Sequence, residues 1–305
     1  VIGYIGLSVL CASIMAYAQN SGIAVPDWIQ YVMSEGIMLL IAIIYMIVQK
    51  IDPIREIPYK RIGIVDVILS LVAGYCLIPA VLLIRNLSML FSTNYLEEGT
   101  ITLLTYPFAM QVILLAVIPP LVEELIFRGI FFGSYRKAGM TGAALMSGLL
   151  FGCFHLNINQ ALYAFVMGIV FAYMVEATGS LWSSVIAHFA VNTYSIGIVQ
   201  IFKMAGIYAQ DGSVSETFEN AESVAGQSTA VTVVQIAMIA VIAAVFMMLA
   251  VLCIRTMAKR HGNLEKMKIQ KVKLSHIKNY FTAPVIVGIV VCVMYMIMLE
   301  FSGTL

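Results

Sequence analysis

Charge is scarce in this sequence: 11% of its 305 residues are Asp, Glu, Lys or Arg, while 61% are hydrophobic. A soluble domain carries about 25% charged residues, and the mean hydropathy of +0.97 excludes water as the main solvent of this chain. No internal repeat and no low-complexity tract interrupts the apolar pattern. The cysteines are few as well. Cys11, Cys76, Cys153, Cys253 and Cys292 all sit in apolar segments, without a CxxC or a Cys/His metal spacing, and read as buried free thiols. An H-E-x-x-H pair is also absent. No nucleic-acid partner is expected.

Long apolar runs are abundant instead, and a spanning helix needs roughly 20 such residues. Runs near 2–18, 29–49, 64–90, 103–135, 140–157, 160–176, 180–202, 229–254 and 282–301 predict an all-α, polytopic transmembrane bundle of eight to nine spans, nine on the full reading. The protein is therefore expected in a membrane as a multi-pass protein, the plasma membrane in a prokaryote. The fourth run is too long for one straight helix, and Pro119-Pro120 interrupts it, so a kink is expected there. The organisation divides into N-terminal helices over 1–102, a core over 103–202 and a C-terminal part over 203–305.

The connecting segments alternate in charge. Segments 50–61, 123–139 and 255–280 hold fifteen of the seventeen basic residues, whereas the opposite side keeps Arg85 and Lys203 and carries Asp27, Glu97, Glu98, Asp211, Glu216, Glu219 and Glu222. The positive-inside rule then places the N-terminus in the cytoplasm. Stretch 264–280 mixes lysines with Met267, Ile269, Val272, Leu274 and Ile277, a composition suited to anionic lipid headgroups.

Three short patterns place polar groups inside apolar helices: EELIFRG at 123–129, FGCFH at 151–155 and HFAVN at 188–192. Ionisable groups in a membrane cost at least about 2.5–3.5 kcal/mol each on insertion scales and are functional candidates by default. Residues four apart share a helical face. Glu124 can therefore neutralise Arg128, which leaves Glu123 free as a general base. Phe151 backs His155, and His188 with Asn192 presents two donors on one face, as a tetrahedral oxyanion requires. Counted at about 1.5 Å per residue from the cytoplasmic helix ends, Glu123, His155, His188 and Asn192 fall roughly 14–24 Å deep. They share one middle layer and can meet.

Each feature also has a plain structural reading. Glu124–Arg128 alone would be an ion pair that holds a helix, and a lone membrane histidine an interhelical donor. Ser184, one turn before His188, could be a nucleophile or simply a small packing residue. Cys153 points away from His155 on its helix. It is the ordered trio of patterns that points to a single site.

EExxxR, FxxxH and HxxxN in this order on successive membrane helices resemble the CAAX protease and bacteriocin-processing family of intramembrane endopeptidases, over roughly residues 103–202. The resemblance implies that Glu123 and His155 activate the attacking water and that His188 and Asn192 form the oxyanion hole. Glu124, Arg128 and Phe151 would be the supporting positions. The substrate implied is a membrane-associated peptide or protein. No cofactor is expected, although a Glu/His/His set leaves zinc open. Two other classes compete: a non-catalytic scaffold or bacteriocin immunity protein of the same fold, and a proton-coupled transporter, against which the lack of inverted repeats weighs.

Overall fold

The computed structural model describes residues 2–26, 28–92, 106–206, 229–269 and 277–302. Among these residues nine apolar helices occur and no β-strand. They are α1 (Ile2–Asn20), α2 (Trp28–Gln49), α3 (Ile64–Ser88), α4 (Phe108–Ala138), α5 (Met140–Phe154), α6 (Ile158–Thr178), α7 (Trp182–Met204), α8 (Thr229–Arg260) and α9 (Ala283–Ser302). Seven of the described helices are long and apolar enough to cross a membrane. The other two are α1, with 19 residues, and α5, which stays apolar for only 15. Large aliphatic side chains such as Val241, Met248 and Leu252 of α8 lie exposed on the outside of the bundle, a surface that only lipid can cover. The chain is an integral, multi-pass membrane protein. The acidic residues expected on the outer side (Asp27, Glu97, Glu98, Asp211, Glu216, Glu219 and Glu222) lie outside the described residues, as do Val272, Leu274 and the lysines at 271 and 273.

Helix α3 is central and packs against α6, α7 and α8, while α5 packs against α6. Small residues permit these approaches. A Cβ on Gly168 of α6 would stand 2.5 Å from the Cα of Gly148 on α5 and 3.1 Å from Nη2 of Arg128. The two glycines thus let the backbones nearly touch directly beneath the arginine, as small residues commonly do between membrane helices. On the other flank α4 meets α7 and α2.

The ends of the bundle are tied by polar groups. Leu181 N–H donates to the carbonyl of Pro58 at 2.8 Å, and Ser180 Oγ donates to that of Lys60, fixing the 57–63 connection beside the start of α7. Buried Asp66 at the start of α3 accepts from Nε of Arg260 at 3.3 Å and lies 3.0 Å from Nε2 of His261 at the end of α8.

Two corrections to the expected helix limits matter for the site. The run 140–157 ends as a helix at Phe154, because Leu156 adopts a left-handed φ of 53° and Asn157 caps α6 by accepting from Gln160 N–H at 3.0 Å. And α4 departs from α-helical register twice, with π-helical turns at Val112–Val117 and Leu125–Phe132.

The close contact of α5 with α6 predicts that Gly168→Ala lowers the thermal midpoint in detergent, because overpacking a tight site costs about 1–3 kcal/mol. Gly133→Ala, where nothing lies within 4 Å of the added carbon, leaves the midpoint unchanged or slightly higher.

Candidate active site

Two adjacent prolines shape the segment that carries the carboxylates. A helical carbonyl normally accepts from the N–H four residues on, or five in a π-helical turn. For Leu115 both of those partners, Pro119 and Pro120, lack an N–H. The π-helical register offers Ala116 the N–H of Leu121, but it cannot help Leu115. In a membrane an orphan carbonyl must find a protein donor, and here Asn192 supplies it: its Nδ2 donates to the Leu115 oxygen at 2.8 Å. A second carbonyl, that of Phe127 in the Leu125–Phe132 turn, accepts from Ser147 Oγ at 2.8 Å. Residues of α7 and α5 thus complete the broken helix α4.

Past the prolines α4 presents Glu123 and Glu124. Glu124 and Arg128 pair at 2.8 Å with both side chains wholly buried. The arginine's planar face is covered by aromatic rings, its Cζ lying 4.3 Å from the ring centre of Phe151 and 5.2 Å from that of Phe171, an arrangement in which ring quadrupoles offset the lost hydration of a cation. Glu124 is not reserved for Arg128, however. The same Oε1 accepts from Nδ1 of His188 at 3.0 Å. Glu123 approaches the opposite side of that imidazole, its Oε2 3.6 Å from Nε2, and keeps 16% of its side chain exposed. His188 therefore stands between the two carboxylates and is clamped by Phe171, at 5.3 Å, and Phe151, at 5.8 Å.

His155 reaches the site from the C-terminal end of α5, not from its interior. Its Nδ1 lies 2.8 Å from the Phe151 carbonyl, one of the last-turn oxygens that a helix end leaves unpaired. A carbonyl can only accept, so Nδ1 carries the hydrogen and a neutral ring presents a bare Nε2. The ring meets Phe151 edge-on at 4.8 Å, so Phe151 separates the two imidazoles and touches both.

The structure thus brings Glu123, Glu124, Arg128 and His188 into one polar chain and places His155 across the Phe151 ring from it. Asn192, one turn beyond His188, commits one amide hydrogen to Leu115 and retains a second. Ser184 is wholly buried and donates to the Leu181 carbonyl at 3.0 Å, as a hydroxyl in the first turn of a helix does. Cys153 is buried with Cys292 and Met296. None of the five cysteines is paired, though Cys11 and Cys253 are only partly buried. Among the described residues no three His, Cys, Asp or Glu side chains are grouped to ligate a metal ion. The sequence patterns gave no sign of Ser147, whose polar role depends on a π-helical turn, or of Glu35, the only acidic residue of α2.

Because Glu124 and Arg128 are both wholly buried, Arg128→Ala should destabilise the folded protein by about 3–5 kcal/mol, the usual result of removing one partner of a buried ion pair. Arg128→Lys should not restore it, since an ammonium cannot stack as a guanidinium does. A Glu124→Gln/Arg128→Met double variant should unfold at a higher temperature than Arg128→Ala.

Residues 105–194 match the family described as type II CAAX prenyl endopeptidase Rce1-like. The chain is also 33% identical over 88 residues to a protein of Bacillus subtilis (strain 168) described as "Putative membrane peptidase YdiL". That alignment covers 28% of this chain and 36% of the relative, so the likeness spans about a third of the relative's length. No solved structure matches the chain. The matched segment contains all three polar patterns, and it is over this segment that the chain is similar to the type II CAAX prenyl endopeptidase Rce1-like family.

Proposed function

We propose that the chain is an intramembrane endopeptidase that cleaves a peptide bond of a membrane-associated peptide or protein with a water molecule activated by Glu123 and His155. The observation that carries this reading is the buried chain Arg128–Glu124–His188–Glu123. A structural ion pair requires Arg128 and Glu124 alone. It does not require a second carboxylate, nor a histidine held between the two. The match of residues 105–194 to the type II CAAX prenyl endopeptidase Rce1-like family, and the likeness to a protein described as a putative membrane peptidase, support the same reading.

The chemistry assigns each group one task. Glu123, partly exposed, accepts a proton from water while the water oxygen bonds to the scissile carbonyl carbon. The bare Nε2 of His155 accepts the other hydrogen bond of that water and orients it. The oxyanion so formed is stabilised by Nε2–H of His188 in its imidazolium form and by the second amide hydrogen of Asn192. As the carbon–nitrogen bond breaks, Glu123 returns its proton to the leaving amine. Glu124 and Arg128 hold His188 in one orientation, as outer partners do for a functional imidazole. The N-terminus in the cytoplasm, and contact of the basic stretch 264–280 with anionic headgroups, complete the proposal. They would bring acidic or lipid-anchored substrates to the cytoplasmic side.

Cleavage of a library of quenched fluorescent membrane peptides by the purified protein in nanodiscs tests it. Glu123→Gln and His155→Ala should abolish turnover while the thermal midpoint stays near that of the parent. Asn192→Ala should retain a rate about 100–1,000-fold lower and also unfold earlier, because Leu115 loses its donor. Inhibitors directed at serine or cysteine should have no effect. Full activity in Glu123→Gln would overturn the role given to Glu123, absence of cleavage by the folded parent protein would reduce the chain to a scaffold of the same fold, and proton-coupled uptake into proteoliposomes would make it a transporter.

A chelator tests the remaining alternative. Incubation with excess EDTA followed by gel filtration should leave the cleavage rate unchanged. Loss of activity that returns with added zinc would replace the carboxylate-activated water by a metal-bound one.

A further inference from the structure

Two of the described residues other than glycine adopt a left-handed backbone, Lys50 and Leu156, each with a φ of 53°. Lys50 ends α2 at the exposed surface. Leu156 is half-buried and follows His155 directly, just past the end of α5. A bulky aliphatic residue is an outlier in that region, because its Cβ crowds the following carbonyl oxygen. Such a conformation persists only where the surroundings enforce it, whereas a glycine would adopt it freely.

The turn at Leu156 decides where the imidazole of His155 is held. The last turn of α5 tightens: His155 N–H donates to the Gly152 carbonyl at 3.1 Å and Leu156 N–H to that of Cys153 at 3.3 Å, the three-residue pattern common at helix ends. Nδ1–H of His155 then donates to the Phe151 carbonyl at 2.8 Å. In a helix that ran on, the backbone N–H of His155 would claim that oxygen and compete with the ring. The side chain of Leu156 is gripped from another element. It packs on a cluster formed by Cys153 of α5 with Cys292 and Met296 of α9. The last two are four residues apart and share one helical face. They are buried, whereas Ile286, Val290 and Met294 of the same helix are exposed. Helix α9 packs against α5 and lies outside the matched residues 105–194.

We propose that Leu156 is a positioning residue for His155, clamped in its left-handed conformation by Cys292 and Met296 of α9. The apolar grip on the leucine side chain opposes the strain of its own backbone. While the grip holds, α5 stops at His155, the Phe151 carbonyl keeps Nδ1–H, and Nε2 stays bare. When the grip is loosened, Leu156 returns to the right-handed region, α5 extends, and the ring loses its fixed tautomer. A helix outside the three polar patterns thereby sets the one imidazole of the site that is not held between the two glutamates. The inference rests on the role of His155 proposed above only for its kinetic consequence.

Truncation of the clamp at Met296, far from the polar groups, tests this. The chain has four histidines, so nitrogen-15 spectra of the histidine-labelled protein in nanodiscs resolve the ring of His155, assigned by its absence in His155→Ala. The parent should show the Nδ1-protonated tautomer alone, and Met296→Ala a mixture of both. In the peptide assay Met296→Ala should lower kcat about 10–100-fold and leave KM within about twofold, the pattern of a displaced catalytic group. Adding Leu156→Gly to Met296→Ala should restore the single tautomer and most of kcat, because glycine takes the left-handed conformation without a clamp. Cys292→Ala, a smaller truncation, gives the same readouts should Met296→Ala fail to fold. A role of α9 in packing alone would lower the thermal midpoint and leave the tautomer unchanged, and glycine at 156 would then rescue nothing. Unchanged tautomer and kcat in the folded variants would overturn the inference and leave the endopeptidase reading intact. A tautomer that responds to Met296 in a protein that cleaves no peptide would uphold the clamp and remove the endopeptidase.

Discussion

An arginine buried in a lipid-embedded bundle imposes conditions on everything around it. Arg128 is wholly enclosed, so its charge must be met by an anion, its plane by aromatic faces, and its volume by space between helices. Glu124 meets the first condition one turn away on the same helix. Phe151 and Phe171 meet the second from α5 and α6. The third is met by Gly148 and Gly168, whose missing side chains leave room beneath Nη2. A buried pair of this kind is not a net source of stability, since desolvation offsets much of the attraction. What the placement of α4, α5 and α6 provides is one ion pair and two aromatic faces for the guanidinium, while Nε and Nη2 stay buried without hydrogen-bond partners among the described residues. Through Glu124, that placement also aims His188.

A second constraint comes from backbone chemistry. Pro119-Pro120 leaves Leu115 without a donor in either α- or π-helical register, and Asn192 fills the gap from α7. The residue that would complete the oxyanion hole is therefore also a structural brace. It holds α7 against α4 at the height where His188 meets both glutamates. Site and scaffold share atoms here, and the same hydrogen bond that completes a broken helix sets the spacing of the polar groups.

The rest of the bundle positions these contacts without entering them. Helix α3 forms the spine on which α6, α7 and α8 lean, and the tie of Asp66 to Arg260 and His261 closes the end of that spine. Helices α1 and α2 cover the other flank, tied by the Tyr4–Ser34 hydrogen bond, and α2 packs on the segment of α4 that carries Glu123.

Much of this could be read from the amino-acid order alone. Low charge and repeated apolar runs determined the class and the helical bundle, because lipid accepts only backbone that satisfies itself. The four-residue spacings determined the Glu124–Arg128 pair and the faces of Phe151–His155 and His188–Asn192, because helical periodicity is local. Tertiary structure decided what periodicity cannot carry. Glu124 serves two partners because α7 delivers His188 to it. His155 terminates its helix because Leu156 turns left-handed, and Asn192 is drawn to Leu115 because two prolines silence that carbonyl's local donors. Each of these depends on a contact between residues distant in sequence, and only the packing of helices brings such residues together.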